Sequence, residues 1–560
     1  MRSGLAGHCL WRLGKGSALI VKMRDLRLTA RQWRLSGGSA FLLLVLGAVT
    51  VLINPRRELL TWDDGWAYAR SVVTMVETGR YTLDNWAAAN TPVQIALAAL
   101  ESRVFGYSLV LLRLDTMALL VVLVLSFRHL AQASGSSPQQ AVVLSLALLA
   151  SPVLLMLSFT FMSDVQFLAW LILALTLYQR GLRLGRTTPI VGGSIAAACA
   201  IGTRQIGIAI LGGWLAAFVL ARREERPPLR TLLLAVALPF ALSAWQLWQG
   251  TAAPNFTQAY RLAEQRVLFT RPISELAIEA IWRAAIWIQY SALYLLPMAP
   301  LVVAAGLKRI GTSASRERLR GLIYTFLLTA FVAIGLVLNS PLTVRPAPPK
   351  TPWPWPPLGL IWMLHVQPWV TPRVERLLDL AGFLGAIPLF WLLFSKGKLI
   401  PDRRPMPDML LITGTGAVLF VASFAYVQLN DTYIVSLLPF ALLAVSAAVR
   451  DTKPSSLWTS ATIVWSLAMI VIVTDLTRRG YDKQQIEWDN AEKAAVGKPY
   501  ACVAGPKHWA EYHGAFDDWI AAGAPGLRPA PTKLQIGEDP FHDPFYAWLS
   551  HRNHESLECS

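Results

Sequence analysis

Two adjacent carboxylates, Asp63 and Asp64, directly follow the first long apolar run of this 560-residue chain. Acidic side chains beside a membrane are costly unless they are solvated, paired or bound to a cation. A carboxylate can take a proton from an acceptor hydroxyl or coordinate a metal ion, so the pair is a candidate for either chemistry. Which chemistry is open to it depends on the elements that position the pair and on the side of the membrane it faces.

Further charged residues fall at a similar predicted depth, where loops enter or leave apolar runs. The acids are Asp63, Asp64, Asp84, Asp164 and Asp431, and the arginines are Arg70, Arg103, Arg113 and Arg204. The guanidinium fork matches the oxygens of a phosphate group. The combination predicts a pocket in which acids face an acceptor hydroxyl or a metal ion, and arginines face an anion such as phosphate. Tyr68, close to the acid pair, is a further candidate for binding substrate.

The composition is that of a membrane protein. The chain is 54% hydrophobic and only 15% charged, with a mean hydropathy of +0.44, which is too apolar for a soluble protein of this length. The net charge of +17 is spread over short loops between apolar runs, where the positive-inside rule places cations. This distribution argues against nucleic acid as a partner.

Hydropathy and the Lys/Arg distribution together predict an all-α polytopic protein with about thirteen transmembrane helices. The predicted spans are 38–55, 109–127, 141–158, 165–179, 188–202, 206–221, 231–247, 285–306, 321–339, 377–395, 409–428, 433–449 and 457–475. Residues 1–37 form a basic cytoplasmic tail, 38–475 the transmembrane domain, and 476–560 a small extracytoplasmic domain of mixed α/β structure. The acid pair therefore opens the first outer loop, 56–108, on the outer face of the cytoplasmic (inner) membrane.

Two amphipathic helices are predicted in the first outer loop, where they would form a shelf beside the acids. The first begins at Gly65, and its apolar residues recur at helical spacing, as expected of a helix in the membrane interface: Trp66, Ala69, Val73 and Val76. In the second, Thr91 is a suitable N-cap and Pro92 a suitable first residue, and Gly106 ends the helix.

The C-terminal tail shows no metal-site pattern. Its segment "GPKHWAEYHGAFDDW" holds His508, His513, Asp517 and Asp518, but zinc-ligand spacing is absent, which favours an ordinary folded surface. Cys502 and Cys559 could form a disulfide if the tail is extracytoplasmic.

Three stretches resemble the GT-C class of membrane glycosyltransferases, in particular the protein O-mannosyltransferases and the lipid A aminoarabinose transferases. They are "WDDGWAYARSVVTMVETGRYT", "NTPVQIALAALESRVFGYSLVLLRL" and "FMSDVQFLAWLILAL". In that class an Asp-acid pair opens the first outer loop, a helix that contains proline follows, and a Met-(Ser/Thr)-Asp element lies between spans 3 and 4. The resemblance covers residues 40–220, and its specificity comes from the order and spacing of these elements.

The resemblance implies roles for individual residues. Asp63 matches the general base that acts on the acceptor, Asp64 its acidic neighbour, and Asp164 the second outer acid. The donor in this class is a sugar carried on a polyprenyl phosphate. Two elements depart from the pattern: Asn90-Thr91-Pro92 stands where relatives often have Lys-Pro-Pro, and Asp431-Thr432-Tyr433 where they often have Asp-Arg-Tyr. Tyr433 is still a candidate for binding substrate. The two departures leave open which residue contacts the donor phosphate.

The chemistry of glycosyl transfer agrees with these roles. The reaction needs a base for the acceptor proton and positive charge for the departing phosphate. Arg204, in "GTRQIG", is the first candidate for the phosphate contact, followed by Arg103 and Arg113. No cofactor is certain. A divalent metal ion is an open alternative, with Asp64, Asp84 and His365 as candidate ligands, although no ligand spacing supports it.

The sequence thus predicts a glycosyltransferase that uses a polyprenyl-phosphate sugar and a lipid, glycan or protein acceptor. Each site residue also has a structural alternative: Asp63, Asp64 and Asp164 could cap helices, and Arg204 could anchor a helix turn. One rival function is a secondary transporter or lipid-linked sugar flippase, although such proteins place ionisable groups near the bilayer midplane. Another is a non-catalytic assembly factor that binds partners through residues 476–560.

Overall fold

The computed structural model describes residues 36–55, 65–270, 272–312, 315–338, 372–394, 406–423, 432–450, 452, 455–494, 512–527, 544–545 and 548–549. Within these ranges the regular structure is helical and contains no strand. The mixed α/β structure predicted for the tail therefore stays a prediction. Cys502 and Cys559 lie outside the described residues.

The described helices follow the order of the predicted spans and loop helices. The first are α1 (Gly37–Ile53), α2 (Gly65–Thr78), α3 (Pro92–Phe105), α4 (Leu109–Ala133), α5 (Pro138–Leu149), α6 (Pro152–Leu157), α7 (Ser163–Leu184), α8 (Thr187–Thr203), α9 (Ala209–Leu220) and α10 (Leu229–Ala252). Then follow α11 (Phe256–Phe269), α12 (Ile273–Tyr294), α13 (Ala299–Thr312), α14 (Ser315–Leu338), α15 (Pro372–Phe394), α16 (Pro407–Ser423), α17 (Thr432–Val435), α18 (Leu438–Arg450), α19 (Ser456–Ala494) and α20 (Ala515–Ala521).

Among the described residues, 4 helices are long and apolar enough to cross a membrane, namely α4, α7, α10 and α19. A bent pair, Trp287–Tyr294 and Leu296–Gly311, would raise this to 5 if it forms one span. Several shorter apolar helices accompany them, including α1, α5, α8 and α16. The chain is thus a multi-pass helical membrane protein by length and composition, and the number of about thirteen spans stays a prediction.

Proline breaks two of the predicted spans. The span predicted at 141–158 is divided, because α5 ends at Leu149 and α6 begins at Pro152. Proline has no backbone N–H and disfavours helical geometry in the residue before it, and Ser151 is extended, with ψ 119°. The span predicted at 285–306 bends by 51° next to Pro297. Hydropathy averages over a window and does not register either break.

The predicted boundary between the membrane domain and the tail falls within a helix. We predicted the last span at 457–475, yet α19 has 39 residues and continues without a break to Ala494. Its first half is apolar, whereas its second half carries ion pairs along the helix, such as Arg478 Nη1 to Asp482 Oδ2 at 3.8 Å. A change in composition along the chain therefore does not mark a change in backbone structure here.

Helix α7 lies at the centre of the described bundle and packs against α4 and α8. In its most apolar stretch 72% of the residues are buried in the protein, compared with 17% in α10. Asp164, in the first turn of α7, is accordingly only 5% exposed. Helix α8 packs in turn against α10, and α9 against α16.

Small residues let α9 and α16 approach closely. A Cβ atom on Gly213 would lie 2.6 Å from the carbonyl oxygen of Leu411 and would also collide with Thr415 Oγ1. Close approach at small residues is a common way for membrane helices to pack, since lipid offers no hydrophobic drive for association. This contact fixes α9, whose preceding turn begins at Arg204.

Polar contacts join loop ends that were predicted to share the inner side. They are Arg183 Nη2 to Asp408 Oδ2 (2.6 Å), Arg128 Nη2 to Ser36 Oγ (2.7 Å) and Ser136 Oγ to Ser446 Oγ (2.8 Å). These contacts agree with the predicted grouping of the loops. Which group faces the cytoplasm stays a prediction from the Lys/Arg distribution.

Candidate functional site

The site is built where the first loop meets the turns between α6 and α7 and between α8 and α9. Asp63, Asp64, Asp431 and His365 lie outside the described residues, and of Tyr433 the structure describes only the backbone position in α17. The remaining predicted site residues are all placed. Most of them belong to two clusters of contacts, and Arg103 and Arg113 lie outside both clusters.

Helix α2 enters the protein interior directly after the acid pair. A Cβ atom on Gly65 would lie 4.0 Å from both Met162 Sδ and Phe161 N, so the first residue of α2 packs against the turn before α7. Trp66 is 1% exposed and Tyr68 2% exposed. The predicted interfacial stripe is therefore wrong for the first two turns of α2, because protein surrounds the helix there. Tyr68 belongs to this buried section.

Helix α3 has the predicted ends but not the predicted cap. Pro92 is its first residue, and Gly106 ends it in a conformation with φ 84°, which suits glycine. The Thr91 side chain makes no capping hydrogen bond. One turn further on, the Gln94 Nε2 amide donates to the backbone oxygen of Phe161 at 2.9 Å, which ties α3 to the same turn that contacts α2.

The turns at the ends of α7 and α8 bring together a buried ion pair. Asp164 lies in the first turn of α7, where the helix dipole favours negative charge. Arg204 follows the last residue of α8 in extended conformation, with φ −149° and ψ 130°. Arg204 Nη1 contacts Asp164 Oδ1, and the two side chains are 12% and 5% exposed. Each charge thus compensates the other in a place with little access to water.

The first turn of α3 lies beside this ion pair. A Cβ atom on Gly202 would be 3.0 Å from the Cβ atom of Val93, so α3 packs against the last turn of α8, two residues before Arg204. The starts of α2 and α3, the turn before α7 and the turn after α8 therefore converge. We call these residues, 65–68, 90–94, 161–164 and 202–204, the candidate active site.

A second cluster holds the first loop to the tail. Arg70 Nη1 lies 3.0 Å from Asp84 Oδ2, and Arg70 Nη2 donates to Asp517 Oδ2 at 2.6 Å. Asn85 Nδ2 donates to the other oxygen of Asp517 at 3.0 Å. Burial opposes the charge of Arg70, but the carboxylates of Asp84 and Asp517 outweigh it, so that the pKa of Arg70 is raised above its ordinary value.

These contacts give Arg70 and Asp84 a structural task. The Asp84 carboxylate also accepts a hydrogen bond from the backbone N–H of Trp86 at 2.9 Å, so both of its oxygens are engaged. Asp517 was not predicted as a partner of the first loop, since 447 positions separate it from Arg70 and no pattern in the sequence relates them. Within the described residues no three His, Cys, Asp or Glu side chains are grouped so that they could hold a metal ion.

We expect the Arg70→Gln substitution to loosen the contact between loop and tail. It leaves the carboxylate of Asp84, 6% exposed, without its cation, so the free energy of unfolding should fall by about 1–3 kcal/mol. Thermal unfolding in detergent and the rate of proteolysis in the tail measure the effect. Arg80→Gln, at an exposed position in the same loop, is the matched control and should change neither. Equal unfolding of the Arg70 and Arg80 variants would show that the bridge contributes nothing.

Aromatic side chains reinforce the same contact. The ring of Phe516 in α20 lies 4.7 Å from Trp86 and 6.1 Å from Phe256, measured between centroids. The hydroxyls of Tyr107 and Tyr512 are 3.0 Å apart. Segments from the loops 56–108 and 248–284 and from the tail therefore meet, in agreement with the prediction that they share one side.

Arg113, in the first turns of α4, is buried and reaches the residue at which the first loop begins. It is 3% exposed, its Nη1 donates to the backbone oxygen of Pro55 at 3.0 Å, and its guanidinium lies 5.9 Å from the ring centroid of Tyr481. The Tyr481 hydroxyl donates in turn to the backbone oxygen of Phe159 at 2.9 Å, near the turn before α7. Arg113 thus joins the end of α1 to α19 at the border of the candidate active site.

Arg103 lies outside the candidate active site. Its Nη2 donates to the backbone oxygen of Met75 at 3.2 Å, on the exposed surface where α2 and α3 end. The position suits a cation because the carbonyl end of a helix carries partial negative charge. The described contact of Arg103 is therefore with a helix end and not with Asp164.

No family model matches the chain, and no curated protein matches it. Two solved structures are similar over most of its length. ArnT from Cupriavidus metallidurans bound to undecaprenyl phosphate is 15% identical, with a TM-score of 0.41, over 91% of this chain and 88% of its own. The Archaeoglobus fulgidus oligosaccharyltransferase AglB, in complex with an inhibitory peptide and a dolichol-phosphate, is 14% identical, with a TM-score of 0.42, over 91% of this chain and 63% of its own. Both are GT-C glycosyltransferases, the class that the three stretches of the sequence resemble.

Proposed function

We propose that the chain is a membrane glycosyltransferase that moves a sugar from a polyprenyl-phosphate-linked donor to an acceptor hydroxyl at the outer face of the cytoplasmic membrane. The observation that carries this proposal is the buried Asp164–Arg204 ion pair beside the start of α2. Asp64 is bonded to Gly65, and consecutive Cα atoms are about 3.8 Å apart. We propose that the acid pair, Asp164 and Arg204 act together in one neighbourhood.

Such a neighbourhood can carry out glycosyl transfer. Asp63, as the base, takes the proton from the acceptor hydroxyl, and the oxygen then bonds to the anomeric carbon of the sugar. The bond between that carbon and the phosphate oxygen breaks, and its electron pair leaves with the polyprenyl phosphate. A phosphate leaving group needs no general acid, which separates this reaction from glycoside hydrolysis by two carboxylates.

Arg204 is the proposed partner of the donor phosphate. Its guanidinium is a planar fork of N–H donors that matches the oxygens of a phosphate, and its Nη1 contacts Asp164 Oδ1. In a site with little water, a cation fixed before the reaction stabilises the growing charge on the phosphate more strongly than it would in solution. Asp164 would then act as a positioning residue that holds the guanidinium in place.

The positions of these charges also bear on the rival functions. Transporters bind their substrate near the bilayer midplane, on helices that are interrupted there. Asp164 instead lies in the first turn of α7, and Arg204 directly follows the last residue of α8. The pair is therefore at the ends of two helices, which favours chemistry at a membrane surface over passage through the membrane. An assembly factor would instead keep its function without the acids near the spans and lose it without residues 476–560.

Proteoliposomes with undecaprenyl phosphate that carries one radiolabelled hexose test the proposal. A membrane extract serves as the source of acceptor. We expect the protein to release undecaprenyl phosphate and to transfer the label to a component of the extract. A flippase would instead move the labelled lipid intact to the other leaflet. If the lipid crosses intact and no undecaprenyl phosphate is released, or if the protein leaves the lipid untouched, the proposal is wrong.

A further inference from the structure

Three buried polar atoms in the candidate active site have no hydrogen-bond partner in the described part of the chain. They are Thr91 Oγ1, Gln94 Oε1 and Asp164 Oδ2. The side chains of Thr91 and Gln94 belong to residues that are fully buried, and Asp164 is 5% exposed. A buried polar atom without a partner costs about 1–3 kcal/mol, so a group of three at one place calls for a functional reason.

The neighbouring residue shows that this segment can satisfy buried polar groups. The Asn90 side chain accepts a hydrogen bond from the Tyr81 hydroxyl at 2.5 Å and donates to Gln249 Oε1 at 3.1 Å. Thr91 differs, because a threonine directly before a helix usually accepts a hydrogen bond from a backbone N–H of the first turn. Here that bond is absent, and the Thr91 hydroxyl makes no hydrogen bond.

Contacts between their segments bring the residues of these three atoms into one region. Thr91 is the N-cap of α3, and Gln94 lies in the first turn of that helix. The Gln94 amide is bonded through its Nε2 to the oxygen of Phe161, three residues before Asp164. The start of α3 therefore lies against the turn that carries Asp164.

The chemistry of these atoms defines the ligand. Gln94 Oε1 and the carboxylate oxygen of Asp164 are acceptors, and the Thr91 hydroxyl can both donate and accept. A phosphate offers mainly acceptor oxygens, and neither Gln94 Oε1 nor the carboxylate oxygen of Asp164 can donate a hydrogen bond to them. A sugar offers several O–H donors in a small volume, which suits two acceptors and one hydroxyl.

We propose that Thr91 and Gln94, together with the free oxygen of Asp164, bind hydroxyl groups of the donor sugar. The proposal rests on the proposed function, since it assigns the sugar-binding part of the same site. On this proposal α3 contributes to substrate binding, which a loop that only connected two spans would not need. The phosphate end of the donor remains with Arg204, so sugar and phosphate are recognised by different residues.

The Thr91→Val substitution tests this without the need for turnover. Valine has nearly the same shape as threonine but lacks the hydroxyl, and because Thr91 Oγ1 has no partner, the variant should unfold at the same or a higher temperature. Two probes are compared by binding: undecaprenyl phosphate that carries one hexose, and undecaprenyl phosphate alone. We expect affinity for the first to fall about tenfold, as for one lost hydrogen bond, and affinity for the second to stay unchanged.

Two further variants complete the design. Thr91→Ser keeps the hydroxyl and should restore binding of the hexose probe. Thr474→Val is the matched control, since Thr474 is 2% exposed and its hydroxyl donates to Ile470 O at 2.6 Å. It should lower the unfolding temperature and leave both affinities unchanged. If Thr91→Val weakens both probes equally, or neither, the sugar-binding role is wrong. If the parent protein binds neither probe, the proposed function itself fails.

Discussion

Replacing Asp63 by asparagine should lower the rate of undecaprenyl phosphate release by about 10²–10⁴-fold, the usual contribution of a general base. Asparagine has nearly the same shape as aspartate but cannot take the proton of the acceptor hydroxyl. Binding of the donor should be retained, because Arg204 and the proposed sugar-binding residues remain. Single-turnover measurements with the labelled donor separate the two effects.

The alternative role of Asp63, as a cap or solvated end of α2, predicts a different result. Loss of a helix cap costs about 0.5–2 kcal/mol of stability and would change the rate little. Asp84→Asn is the matched control, since Asp84 is an acid of the same loop that Arg70 and Trp86 already engage. A variant Asp63→Asn that is less stable but releases undecaprenyl phosphate as fast as the parent would refute the role of general base.

The second large effect concerns the Asp164–Arg204 ion pair. Asp164→Asn and Arg204→Gln should each cost about 3–5 kcal/mol of stability, because each leaves a buried charge without its partner. The double variant has two neutral groups that can hydrogen-bond to each other, and it should regain most of the loss. Release of undecaprenyl phosphate should fall about 10²–10³-fold in Arg204→Gln and in the double variant alike, since the cation for the phosphate is gone.

A second ion pair, in which Asp408 is buried and Arg183 is 37% exposed, serves as the control for this cycle. Arg183 and Asp408 are 2.6 Å apart, Asp408 is 2% exposed, and both lie at helix ends predicted on the opposite side. Their double variant should show a smaller coupling in thermal unfolding, because water screens the charge of Arg183, but it should keep its activity. If the double variant at Asp164 and Arg204 were as active as the parent, the pair would be structural only.

The sequence predicted those parts of the molecule that depend on local patterns. Apolar runs located most of the described helices, Pro92 and Gly106 gave the ends of α3, and the similar predicted depth of Asp164 and Arg204 agrees with their contact. Each of these features depends on residues that are close in the sequence, so the sequence alone is enough to predict it.

Other parts depend on contacts that a linear pattern does not contain. Asp517 binds Arg70 across 447 positions, and only the folded chain brings the two together. The burial of α2 was missed because it results from its neighbours in space, including Met162, and not from its own apolar spacing. Thr91 fits the composition of a cap, but its hydroxyl is not used for one.

The length of α19 has a mechanical consequence. Its 39 residues span about 58 Å, whereas the hydrocarbon core is about 30 Å thick, so about half of the helix is left over once the apolar part has crossed. Trp488, in that remainder, lies 6.2 Å from the ring of Tyr512, which in turn contacts Tyr107. The continuous helix α19 thus connects the membrane-spanning part to the tail. A tilt of α19 would be transmitted through Tyr512 to the first outer loop, which carries the acid pair.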